Sequence, residues 1–86
     1  MAEAITRSPA NEIAYMYGRT LKTMAWIESI GGTDGPGYQA LSVRSETLLD
    51  AFIATMGTHP WTQNDDERAA TRELALNKAR GLGWHV

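Results

Sequence analysis

The chain reads as all-α, a small three-helix bundle of 86 residues. Three observations carry that reading. Apolar residues recur at spacings of three and four over long stretches, the period of an amphipathic helix. Glycine and proline cut the chain into three segments of helical length. No stretch alternates apolar and polar residues for long enough to make a strand.

The first helix is predicted over about 9–30. It opens at Ser8-Pro9, where serine accepts a hydrogen bond from an orphan backbone N–H and proline suits the first helical position. Ile13, Met16, Tyr17, Leu21, Met24, Ile27 and Ile30 form its apolar stripe, and Gly31-Gly32 end it. Thr33-Asp34-Gly35-Pro36-Gly37 reads as a loop. The second helix is predicted over about 43–56. Its secure part is Ser45 to Met56, and starts near Ser42 or Tyr38 are also compatible. Leu48, Leu49, Phe52, Ile53 and Met56 share one side, and Gly57 and Pro60 terminate it. The third helix is predicted over about 65–80. Asn64 and Glu67 make a capping-box pattern, carboxylates fill the first turn, and Lys78 and Arg80 sit in the last. Gly81 is its expected stop, with Leu82 folding back on Leu76. Its stripe is thin: Ala70, Leu74, Ala75 and Ala79. Residues 1–7 and 83–86 are expected as loose tails of this single helical domain, with helix 1 as its spine.

Composition narrows the function classes. The chain has no cysteine, so disulfides, thiolate nucleophiles and cysteine metal sites drop out. A chain this short buries only about 60–65% of its unfolded surface, which leaves little room for a deep pocket. The working part is therefore expected on an outer surface. Eight Lys+Arg against ten Asp+Glu give a formal net charge of -2, which disfavours nucleic acid as the main partner. No apolar run approaches the roughly 18–20 residues of a membrane span, and a cytoplasmic protein is expected.

The catalytic inventory is poor. His59 and His85 lack a second histidine or a carboxylate at a metal-ligand spacing, and both read as structural residues of a loop and a tail. Asp65-Asp66-Glu67 is explained by capping and the helix dipole better than by a metal site. Thr33 to Gly37 lacks the lysine of a phosphate-binding loop. No catalytic residue, cofactor or metal is expected.

One face stands out as a partner-binding site. Tyr15, Arg19, Lys22 and Trp26 recur at i, i+4, i+7 and i+11 on helix 1, beside the apolar stripe. Aromatic and cationic residues in one row suit a protein interface, and also nucleic-acid stacking. The structural alternative is that the aromatics widen the core while the cations snorkel. Gly18 within this row would let another backbone approach closely. Trp61 and Trp84 lie outside the helices and are expected to close the ends of the core, with an interface anchor as the alternative.

The segment from Asn11 to Leu21, with Ala14-Tyr15 and then Gly18-Arg19, resembles a helix in the C-terminal helical region of the large subunit of type I-C CRISPR surveillance complexes. The chain is far shorter than that subunit and departs from it after Gly31. The resemblance implies either a small helical subunit touching nucleic acid or a phage-encoded protein that docks on such a complex and blocks it. As a small, acidic, cysteine-free chain, it is also similar in type to phage anti-defence proteins, anti-CRISPR proteins among them. The leading expectation is a non-enzymatic helical protein that docks on a larger protein partner in a bacterial host cytoplasm. A small nucleic-acid-binding subunit is the alternative. An enzyme subunit whose site forms only in an oligomer, with a pocket shared between chains, is a third class. Homo-oligomerisation itself is open, because the thin stripe of helix 3 offers Ala70, Leu74 and Ala75 to a symmetry mate.

Overall fold

Backbone chemistry at the helix ends sets the architecture. The computed structural model describes residues 8–86. It contains α1 (Pro9–Ser29), α2 (Pro36–Thr55), a short 3₁₀ turn (Pro60–Thr62) and α3 (Asp65–Gly81). No strand occurs among the described residues, and the three helices form a small all-α bundle. The expected leading tail 1–7 lies outside the described residues.

The start of α1 is as the sequence predicts: the Ser8 hydroxyl accepts from the Asn11 N–H at 3.2 Å. At its end Gly31 adopts φ 75, and Gly31 and Gly32 donate to the Glu28 and Ile27 carbonyls, which satisfies two orphan acceptors. α2 begins at Pro36, well before the expected 43, so part of the presumed loop is helix. Proline at the first helical position brings a suitable φ and no N–H to leave unpaired, which outweighs the glycines around it. The capping box of α3 forms in full between Asn64 and Glu67. α3 then runs through Gly81, and the stop is Gly83, at φ 106. There the Gly83 and Trp84 N–H groups donate to the Arg80 and Ala79 carbonyls.

α1 lies against both other helices, while α2 and α3 touch each other least. The core is Ala14 and Tyr17 from α1, Leu48, Leu49, Phe52 and Ile53 from α2, and Ala75 and Ala79 from α3. Leu76 and Leu82 each pack against it. The α3 stripe departs from the sequence expectation: Ala70 and Leu74 are exposed, and Thr71 takes the inward place. Its hydroxyl donates to the Glu67 carbonyl at 3.0 Å, so burial leaves no orphan donor. Ile30 and Met56 lie beyond the reach of the core and are exposed.

The molecule is a slab, 39 × 38 × 18 Å. Its radius of gyration is 13.8 Å, against about 12 Å for a compact chain of this length. Where apolar packing between α2 and α3 is sparse, charge spans the gap. Arg68 donates to Asp50 at 2.7 Å and to Glu46 at 2.9 Å, and Arg72 lies 3.8 Å from Glu46. Glu46 and Asp50 are one turn apart on α2, as are Arg68 and Arg72 on α3.

Candidate docking surface

On a helix with 3.6 residues per turn, Tyr15, Arg19, Lys22 and Trp26 fall within a strip roughly 60° wide. α1 buries Ala14, Tyr17, Gly18 and Thr20, so the strip faces away from the core. The structure divides the four residues into two pairs.

Tyr15 and Lys22 engage the C-terminal segment. The Tyr15 ring meets Trp84 edge to face, with centroids 5.4 Å apart. Lys22 Nζ donates to the His85 carbonyl at 3.1 Å. Arg80 Nε donates to the Val86 carbonyl at 3.0 Å. The expected loose tail 83–86 is thus packed along α1. Gly18 makes this possible: a Cβ built there would lie 2.7 Å from the Ala79 Cβ and 2.9 Å from the Trp84 Cβ. Half-buried Trp84 sits against Gly18 and Tyr15 rather than among the side chains packed on the core cluster, and its Nε1–H has no hydrogen-bond partner among the described residues.

Arg19 and Trp26 point outward. Trp26 is 63% exposed, and Ile30, one turn further along, is 62% exposed. Beside them a groove of 570 Å³ runs between α1 and α2. Its walls include Glu12, Met16, Arg19 and Thr20 from α1 and Leu41 and Arg44 from α2. The Thr20 and Thr23 hydroxyls donate to the Met16 and Arg19 carbonyls at 2.8 and 3.0 Å. Arg44 escaped the sequence reading. No acidic residue lies three or four positions from it on α2, and the α1 residues across the groove lie more than twenty positions away along the chain.

Trp61 corrects another expectation. It does not close the core but stands 79% exposed on the 3₁₀ turn, stacked on His59 with centroids 4.6 Å apart. The short turn from Pro60 to Thr62 carries no buried residue, so nothing draws the indole inward.

Electrostatics reinforce the frame more than any reactive centre. Burial pushes the Tyr17 phenol above its ordinary range, and the Arg72 charge partly opposes this. The hydrogen bonds to Asp50 and Glu46 raise the Arg68 guanidinium further. The hydrogen bond to Glu28 raises the Tyr38 hydroxyl. Among the described residues no three His, Asp or Glu side chains assemble a metal-binding group. No described helix is long and apolar enough to cross a membrane.

With this geometry in view, no family model, no curated protein and no solved structure matches the chain.

Proposed function

We propose that this protein works without catalysis, by docking on a larger protein partner through the outer face of α1. The observation that carries this reading is the exposed Trp26–Ile30 pair with Arg19 on the same strip. A single exposed apolar residue is ordinary, but tryptophan with isoleucine one turn away is a contiguous apolar anchor. Tryptophan and arginine are also the side chains that most often dominate binding energy at interfaces. Tyr15 and Lys22 contribute by fixing the C-terminal segment along the same helix. That lowers the ordering cost on binding.

The resemblance of the Asn11–Leu21 segment makes a type I-C CRISPR surveillance complex the first partner to test, with this chain as a phage-derived inhibitor. Calorimetry of the chain with that purified complex is the direct experiment. Trp26→Ala and Arg19→Ala should each weaken binding by about 2 kcal/mol, roughly thirtyfold, with helicity by circular dichroism unchanged. Equal binding by both variants overturns the assignment of this face. The alternative, a small nucleic-acid-binding subunit, requires single-strand binding that falls steeply with salt. A gel shift at low salt separates the two.

A further inference from the structure

We infer that the α1–α2 groove receives an acidic segment of the docking partner, whose carboxylates pair with Arg19 from α1 and Arg44 from α2. This rests on docking through the outer face of α1 and specifies the chemistry of what docks.

The first argument is which arginines are occupied. Arg68 is held by Glu46 and Asp50, Arg72 by Glu46, and Arg80 by Asn77 and the Val86 carbonyl. Arg19 and Arg44 are exposed and make no side-chain hydrogen bond or ion pair among the described residues. Both nevertheless line one groove of 570 Å³, reaching it from different helices. Two planar guanidinium forks converging on one groove match bidentate recognition of carboxylates.

The second argument is what else the groove offers. Met16 and Leu41 contribute apolar wall. The Thr20 and Thr23 protons are already committed to helix carbonyls. The arginines are the cationic donors on its walls, with the Tyr15 hydroxyl beside them, so a matching occupant brings anionic acceptors and apolar groups together. Trp26 and Ile30 extend the apolar surface along the same helix. An amphipathic acidic segment meets each demand.

A nucleic-acid strand fits less well. The chain carries a net charge of -2, and Asp65, Asp66 and Glu67 are exposed on α3. A long polyanion meets that repulsion, whereas a short acidic segment needs only the local pair of cations.

The test is a nuclear magnetic resonance titration of the isotope-labelled full chain, reading backbone amides and arginine Nε–H signals. The probes are a short peptide of glutamate, leucine and phenylalanine, its glutamine counterpart, and oligothymidylate of matched charge. The glutamate peptide should shift the Arg19 and Arg44 Nε–H signals and the amides of Met16, Thr20 and Leu41. Arg44→Gln should weaken that binding about tenfold, as one lost charge-assisted contact implies, and Arg80→Gln should leave it unchanged. Equal shifts with the glutamine peptide, or an unaltered affinity in Arg44→Gln, overturn the inference. Tighter binding of oligothymidylate at the same residues overturns it in favour of nucleic acid. Arg44 lies on α2, off the Trp26 strip. Partner binding that is lost in Trp26→Ala but kept in Arg44→Gln therefore refutes the acidic segment while sparing the docking face. Partner binding indifferent to both refutes the docking face itself.

Discussion

Replacing Gly18 by alanine sets two effects against each other, and the packing of α1 decides the sign. In an open helix the change removes a residue of poor propensity and stabilises by about 1 kcal/mol. Here the new methyl would lie 2.7 Å from the Ala79 Cβ, about 0.7 Å inside the 3.4 Å at which ordinary contact begins. The obstructing atom is a Cβ fixed to the α3 backbone, not the tip of a side chain that can swing away. Relief requires α1 and α3 to separate and Trp84 to shift from its seat at 2.9 Å. Overpacking of this kind costs about 1–3 kcal/mol, and more when a docked indole is displaced. The net expectation is a loss of about 1–2 kcal/mol, which lowers the thermal midpoint by roughly 5–15 °C in a domain of this size. Thermal unfolding followed by far-ultraviolet circular dichroism reads this directly. Combining Gly18→Ala with Ala79→Gly should recover part of the loss, giving a coupling energy above about 0.5 kcal/mol. A midpoint equal to or above that of the unaltered chain refutes the close approach of α3 and the C-terminal segment to α1.

The other expectations concern the two ends of the slab. Trp84→Ala should cost about 2 kcal/mol, because a half-buried indole is lost from a seat shaped by Gly18. Trp61→Ala should stay within about 0.5 kcal/mol, since that ring is 79% exposed; urea unfolding of the two variants compares them. Arg68→Ala should cost about 1 kcal/mol at low salt, after allowing for acidic partners that are about half exposed. That difference should shrink in 1 M salt, where the screening length is about 3 Å. Tyr17 has its phenol pKa raised above 10.0 in the folded state, so the fold favours the neutral form. Its contribution is complete below the unfolded value of 10.0 and is lost as pH rises through the higher folded value. Urea midpoints measured from pH 8 to 11.5 should fall more steeply above pH 10 for the unaltered chain than for Tyr17→Phe.

The candidate surface was partly legible in the sequence. Helical spacing alone puts Tyr15, Arg19, Lys22 and Trp26 on one strip. Spacing does not say which members are free. Tyr15 and Lys22 are claimed by Trp84 and the His85 carbonyl, groups that lie more than sixty residues away along the chain. Arg44 was illegible for a different reason: the groove it lines is completed by α1 residues that only the fold brings alongside α2. Trp61 and Trp84 look alike as loop tryptophans, and the room above Gly18 separates the half-buried one from the exposed one.

What the sequence by itself determined was local. Ser8, Asn64 and the glycine at 31 set helix ends because a cap hydrogen bond or a left-handed φ involves residues within one turn. The three-helix class follows from those ends and from apolar residues repeating with the helix period. The tertiary structure decided what lies across space. Thr71 rather than Ala70 faces inward on α3, the stop falls at Gly83 rather than Gly81, and the last residues pack along α1 instead of hanging free. Each outcome depends on how near one helix comes to another. That distance is set at Gly18, where a missing Cβ lets Ala79 and Trp84 close in. The sequence shows a glycine at that position, and the neighbours that need its missing side chain appear only when the chain is folded.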